Sequence, residues 1–334
     1  MKIAVCSSQS YDRQFLAAAN RDAAHELTFF DAHLNVETRQ MVAGFPAVCV
    51  FVNDTLNRDV IDSLADQGMR LIALRCAGFN NVDVQAASDF GVNIVRVPAY
   101  SPHSVAEHSV ALMMALSRRI PRAYNRMREG NFALEGLLGF ELRGKTVGII
   151  GTGRIGSAVA EILRGFGCKL IAHDLQPNMV CANLGVEYVP LQQLYAASDI
   201  ITLHTPLNQQ TFHLINAATV AQMRPGVMLI NTSRGAVIDT PAVVAGLKSS
   251  KIGYLGLDVY EQEGDLFFQD LSSQVIQDDM FERLLTFHNV LITGHQGFFT
   301  HEALTSIAQT TLQNISLFEK TGVCQNQVTM ELLR

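Results

Sequence analysis

The chain contains no Cys-x-x-Cys pair, no run of eighteen apolar residues, no long block of one charge sign, and no tandem repeat or low-complexity stretch. Each absence removes a class of function. Its six cysteines (Cys6, Cys49, Cys76, Cys168, Cys181 and Cys324) are scattered. Neither a zinc site nor a redox motif is expected from such spacing, and no metal is expected; buried free thiols in a reducing compartment are. A membrane-spanning helix needs about twenty apolar residues, so no membrane partner is expected. The net charge of −6 is spread along the chain, which argues against nucleic acid and against a membrane surface. At the N-terminus a short apolar run, 3–6, is followed by Ser-Ser-Gln-Ser; this reads as a first strand and not as a signal peptide, so a cytoplasmic location is expected. What remains is a chain of 334 residues, 48% hydrophobic and 17% charged, the composition of a globular enzyme with about two domains.

The richest motif is Gly148-Ile-Ile-Gly151-Thr-Gly153-Arg154-Ile155-Gly156, followed by an apolar run that ends in Asp174. Gly151 permits a tight turn after a strand, Gly153 lets backbone approach a pyrophosphate, and Gly156 lets helix and strand pack closely. The helix N-terminus behind the loop would hold the phosphates, through free N–H groups and the helix dipole. Asp174, at the end of the second strand, can accept hydrogen bonds from a ribose. The residues after it are Leu175, Gln176 and Pro177, with no Arg-rich pocket for a 2′-phosphate, so NAD is expected and not NADP.

Short β-rich runs at 3–6, 27–30, 47–52, 71–75 and 92–97 alternate with helical segments, as in a parallel α/β sheet covered on both faces. Ser101 and Pro102 then open a long apolar helix, suited to a hinge or a subunit contact, and the loop 131–142 is suited to a subunit contact. A second series follows, with strands at 147–150, 170–172, 200–204, 228–231, 254–259 and 290–292 and a helix at 241–248 capped by Thr240. The last helix, 302–321, is expected to return to the first domain. The expected fold is therefore α/β with two Rossmann-like domains around an interdomain cleft. A discontinuous, flavodoxin-like substrate domain would comprise 1–100 and 299–334, and an NAD-binding Rossmann domain would comprise 101–298.

Ligands of open α/β sheets bind outside the carboxyl ends of strands, and three such ends carry reactive residues. Asn231-Thr232-Ser233-Arg234-Gly235 offers a guanidinium fork that can hold a carboxylate and polarise a carbonyl. Thr293-Gly294-His295-Gln296-Gly297 offers an imidazole able to exchange a proton with a ketone or an alcohol. Between them, Asp258, Glu261 and Glu263 are candidates for the carboxylate that would fix the tautomer of His295; spacing does not choose among them, and two would be exposed loop charges. An Arg, an acid and a His beside a nicotinamide are what hydride transfer to a 2-oxo acid requires.

With these segments in view, the chain resembles the D-2-hydroxyacid dehydrogenases, most closely the NAD-dependent D-lactate dehydrogenases. The resemblance also rests on Arg75-Cys76-Ala77-Gly78-Phe79-Asn80-Asn81-Val82-Asp83 and His204-Thr205-Pro206-Leu207. It implies Arg234 as binder of carboxylate and carbonyl, His295 as acid/base and Glu263 as its partner. It implies Ala77 and Gly78 as backbone donors to the substrate and Tyr100 over the substrate. For NAD it implies Arg154 and Ile155 at the pyrophosphate and Asp174 at the ribose. Thr205, Pro206, Thr232, Ser233 and Asp258 would line the rest, with Asp258 near the carboxamide. D stereochemistry and an oligomer, at least a homodimer, follow from the resemblance alone. Thr211 departs from the Asn that relatives often carry, so the resemblance does not carry a cofactor contact over to that position. Phe79, Tyr100, Phe298 and Phe299 would wall the site, and Arg75 is the one extra cation a phosphorylated substrate could use. Pyruvate is the expected 2-oxo acid, with 2-oxoisocaproate or phenylpyruvate as the alternative. A non-enzymatic, NAD-binding corepressor is disfavoured because the chain shows no extended flanks.

Overall fold

Alternating apolar runs and amphipathic stretches produce two separate parallel sheets. The computed structural model describes residues 1–323 and 325–333. Contacts divide it into one unit of Met1–Ser101 plus the segment from Phe299 onward, and a second unit of Pro102–Phe298.

The first unit begins β1 (Lys2–Val5), α1 (Ser10–Ala23), β2 (Glu26–Phe29), β3 (Ala47–Val50), α2 (Arg58–Asp66), β4 (Leu71–Leu74), α3 (Val84–Asp89), β5 (Asn93–Val95). Its strands lie parallel in the order β2-β1-β3-β4-β5, which is the flavodoxin-like order. β3 and β4 are buried at every position, as expected of strands covered on both faces.

The second unit opens with α4 (Pro102–Ser117) and α5 (Ile120–Arg128). It continues β6 (Thr146–Ile150), α6 (Arg154–Gly165), β7 (Lys169–His173), α7 (Met179–Asn183), β8 (Glu187–Tyr188), α8 (Leu191–Ala197), β9 (Ile200–Leu203). Then come α9 (Ala217–Gln222), β10 (Val227–Asn231), α10 (Thr240–Lys248), β11 (Ile252–Leu257), α11 (Asp279–Leu285) and β12 (Val290–Ile292). All pairings are again parallel, in the order β12-β11-β10-β9-β6-β7-β8. This is a doubly wound sheet whose order reverses between β6 and β9, so the loops after these two strands flank the crevice where ligands bind.

The chain closes with α12 (His301–Thr321), capped by the Thr300 hydroxyl and ended by Gly322 at φ 70°. Ala308, Leu312 and Ile315 of α12 pack into one core with Ile3, Val5, Cys49 and Leu71 of the first unit's sheet.

The structure adds two details here and corrects two expectations. The long helix from Pro102 turns its apolar residues inward, where Ala106, Val110, Leu112 and Met113 pack on Ile149 and Ile230. Large apolar side chains stand exposed on α5 and the segment after it instead: Ile120, Tyr124, Met127, Phe132, Leu134 and Leu138. Thr240 is not a cap but the first residue of α10, where its hydroxyl bonds Glu261 Oε2 at 3.2 Å; Asp239 holds the cap position. The edge strand β8 was not anticipated, because two residues carry no period. Finally, Arg75 is no free cation. It is 1% exposed, and donates to Asp12 Oδ1 at 3.0 Å and to the Ser7 carbonyl at 2.8 Å. Cys6, Cys49, Cys76 and Cys181 are buried free thiols and Cys168 is half-buried, whereas Cys324 lies outside the described residues. Among the described residues no helix is long and apolar enough to cross a membrane.

Candidate active site

The glycine loop leaves β6 in a conformation that side chains would block at two positions and leave open at one. Gly151 has φ 92°, and a Cβ there would come within 2.6 Å of the His204 carbonyl oxygen. A Cβ on Gly156 would lie 2.0 Å from the Gly151 oxygen. Both glycines are therefore demanded by the packing of β6, α6 and β9. Gly153 caps α6, and a Cβ there would meet nothing within 4 Å. Open space thus lies over the helix N-terminus, where the amides of Arg154, Ile155 and Gly156 have no carbonyl one turn back. At the end of β7, Asp174 accepts from the amide and hydroxyl of Thr152 at 2.5 and 2.9 Å. Burial pushes its carboxyl up, but these hydrogen bonds outweigh burial and hold it below the usual range. Both bonds from Thr152 fall on Oδ2, while Oδ1 accepts from the Gln176 amide at 3.3 Å. Across the switch point, Thr205 Oγ1 is buried with no partner among the described residues. An open phosphate cradle, an anionic ribose acceptor and an orphaned hydroxyl together fit a dinucleotide.

The next strand end is shaped by Asn231, which is fully buried. Its Oδ1 accepts from the amide and hydroxyl of Ser233, and its Nδ2 donates to the Arg234 carbonyl. Thr232 bonds Ser109 of α4 through its hydroxyl at 2.8 Å. A Cβ on Gly235 would fall 2.1 Å from the Tyr260 backbone, so only glycine lets the loops after β10 and β11 touch. Arg234 is carried in extended backbone beside this contact, half-buried, with Nη1 donating to the Ser233 carbonyl at 2.7 Å.

The three acids that spacing left open separate cleanly, because each faces a different histidine. Glu263 Oε1 lies 2.8 Å from His295 Nδ1, and its Oε2 accepts from the Tyr260 amide at 3.0 Å. Glu261 lies 2.6 Å from His213 Nε2. Asp258, 1% exposed, lies 3.1 Å from His108 Nε2. The expectation of two exposed loop charges is thus corrected: Asp258 is buried and Glu261 is paired. With Nδ1 held by Glu263, Nε2 of His295 is the nitrogen that can meet a substrate. Two rings lie beside the imidazole, Phe268 tilted at 5.9 Å and Phe298 edge-on at 6.5 Å between centroids. Of these only Phe298 was foreseen; Phe299 lies in the first unit, with its ring on Tyr11.

In the first unit the loop after β4 is pinned through its carbonyls. Cys76 O accepts from the Val97 amide, Ala77 O from Arg96 Nη1 at 2.9 Å, and Gly78 O from the Cys76 thiol. The Arg96 guanidinium also lies over the Phe79 ring. With the carbonyls engaged from behind, the amides of Ala77 and Gly78 have no acceptor among the described residues. Arg96 was not anticipated. Tyr100, which follows β5 in the chain, is half-buried.

Residues 110–297 match the family model described as the D-isomer specific 2-hydroxyacid dehydrogenase, NAD binding domain. The chain belongs to that family. Its second unit is the NAD-binding domain, and its activity is NAD-dependent oxidoreduction of D-2-hydroxy acids. The similarity also runs end to end. The chain is 55% identical to the D-lactate dehydrogenase of Escherichia coli (strain K12) over 98% of its own length and 100% of that protein's. The solved apo-structure of the D-lactate dehydrogenase from Escherichia coli superposes with a TM-score of 0.90 at 52% identity, covering 98% of this chain and 100% of that one. A structure identified as the pyruvate reductase of Chlamydomonas reinhardtii superposes with a TM-score of 0.92 at 45% identity, covering 98% of each.

Proposed function

We propose that this dehydrogenase interconverts pyruvate and D-lactate. The observation that carries the reading is the apolar flank of His295: two phenylalanine rings lie beside the imidazole, Phe268 tilted and Phe298 edge-on. Such walls suit a substrate no larger than a methyl group beyond C2, and Arg75 is committed to Asp12, which leaves it no role with a phosphorylated substrate. The similarity to D-lactate dehydrogenases over the whole chain supports the same substrate.

Gly151, Gly153, Arg154, Ile155, Gly156, Asp174, Thr205, Pro206, Thr232, Ser233 and Asp258 would hold NAD, which when bound would supply or accept the hydride at C2. The rest falls to side chains of this chain. Arg234 takes the carboxylate through its two-pronged fork and draws electron density from the C2 carbonyl. The amides of Ala77 and Gly78 take the same carboxylate, and Tyr100 covers the substrate. His295 donates the Nε2 proton to the ketone oxygen in reduction and recovers it in oxidation. Glu263 holds Nδ1–H, which fixes the tautomer and offsets the charge that the ring carries while protonated.

Consumption of NADH on adding a panel of 2-oxo acids tests this reading. We expect kcat/KM for pyruvate to exceed that for 2-oxoisocaproate or phenylpyruvate by about tenfold or more, the discrimination a few methylenes can supply. A reversed ranking would move the substrate to the larger acid, and no turnover with any of them would remove the reading.

We further propose that the enzyme is a cytoplasmic homo-oligomer, at least a dimer, joined through the exposed apolar side chains of α5 and the segment that follows. Leu134 and Leu138 are 83% and 87% exposed there, which is costly for large apolar groups in a monomer. Combining Leu134→Asp with Leu138→Asp is expected to halve the mass seen by sedimentation velocity. A wild-type protein that sediments as a monomer contradicts the proposal.

A further inference from the structure

His295 sits in a backbone conformation that side chains avoid, with φ 52°. What holds it there is a cage built on Asp258. Three consecutive amides converge on that residue: His295 N on its carbonyl at 2.7 Å, Gln296 N on Oδ1 at 2.9 Å and Gly297 N on Oδ2 at 2.8 Å. The Thr293 hydroxyl adds a bond to Oδ1 at 2.5 Å. This leaves Thr293 Oγ1 as an acceptor, and His108 Nε2 lies 2.9 Å from it as well as 3.1 Å from Asp258 Oδ1. Gly297 fits closely here, since a Cβ would stand 3.0 Å from Asp258 Oδ2 and 3.5 Å from His108 Cδ2. His108 from α4 and Asp258 from the end of β11 are the ionisable side chains facing each other at this point. The loop after β12 contributes amides and a hydroxyl, its own ionisable residue being turned to Glu263.

We infer that His108 is a positioning residue for the reaction: from α4 it locks the Asp258 carboxylate and the Thr293 hydroxyl, and so sets the backbone that aims His295. Three observations support it. Burial by itself pushes the Asp258 carboxyl up, yet the hydrogen bonds from His108, Thr293 and Gln296 outweigh burial and keep it anionic. The next residue on α4, Ser109, is fully buried and bonds Thr232, so one turn of one helix ties the loops after β10, β11 and β12 together. α4 is itself fixed, because its apolar residues form part of the core beneath. A small loss of registration at His295 is costly, since proton transfer depends steeply on donor geometry.

The inference rests on His295 as the acid/base, and the test separates the two. His108→Phe fills the site without a donor, and we expect kcat for pyruvate reduction to fall about tenfold to thirtyfold. NADH affinity by fluorescence titration should fall by less than about threefold, well short of the loss in kcat, because the glycine cradle and Asp174 lie at β6 and β7 and Asp258 keeps its bonds from the Thr293 hydroxyl and from the amides of Gln296 and Gly297. His108→Gln keeps an N–H donor, and should recover kcat to within about threefold of the parent. The deciding measurement is the cycle with His295→Gln: once His295 is gone, losing His108 should cost less than about twofold more. His108→Asn, smaller and polar, serves in the same arms if thermal melting shows the Phe variant unfolded. A parent-like kcat in His108→Phe, or an equal fold-loss with and without His295, overturns the inference. A His295→Gln enzyme of near-normal turnover overturns instead the assignment on which it stands.

Discussion

Replacing His295 by Gln lowers kcat by about a hundredfold or more, as expected when a general acid is lost. Glutamine is close to imidazole in length and can still accept a bond from a neighbour, but at neutral pH it has no proton to give the ketone oxygen. The site around it keeps its shape, because its supports belong to other residues. Glu263 remains tied to the Tyr260 amide, and the amides of residues 295–297 are main-chain groups that any side chain retains. NADH binding should therefore survive, since the glycine cradle and Asp174 lie at the ends of β6 and β7. Steady-state turnover beside a fluorescence titration of NADH measures both. Near-normal turnover would show that the proton comes from elsewhere.

The sequence made some features of this site legible and hid others, for reasons that differ by residue. The glycine loop was readable because its constraints are local: Gly151, Gly153 and Gly156 act within six residues, and strand, turn and helix follow in order. Strands buried on both faces were readable as apolar runs, whereas β8, two residues at a sheet edge, has no pattern. Spacing could not pair His295 with Glu263, since they stand 32 positions apart on different strand ends. The resemblance to the family proposed that pair, and the structure brings the two together. Arg75 shows the opposite failure. In sequence it is a cation beside the substrate-loop motif; its carboxylate partner, Asp12, is 63 positions away and invisible until β1 and β4 are laid in one sheet. Phe268 was not placed beside His295, since it stands in left-handed backbone, φ 66°, that an apolar run does not announce. Asn231 and Arg96 act on backbone carbonyls and amides, and such partners leave no trace in side-chain composition.

Replacing Arg234 by Lys should raise KM for the 2-oxo acid by about thirtyfold to a hundredfold, with kcat reduced as well. The charge is conserved, so the change isolates geometry. A guanidinium presents two parallel N–H donors to a carboxylate and keeps a third nitrogen for its own anchor, which here is the Ser233 carbonyl at 2.7 Å. An ammonium is a single point of charge, and lysine cannot satisfy Ser233 and the substrate together. Losing one charge-assisted hydrogen bond costs about 2 kcal/mol, or about thirtyfold in binding. The fall in kcat follows from the second task of the residue, because the carbonyl is polarised only when a donor lies beside its oxygen. Folding should be spared, since the turn is held by Asn231 and by the contact of Gly235 with Tyr260, and neither uses the Arg234 side chain. Melting temperature and NADH affinity are therefore expected to match the parent while KM rises. A parent-like KM would remove Arg234 from the carboxylate. A rise in KM with kcat untouched would leave it there, but as a binder alone, and would place the polarising donor on His295.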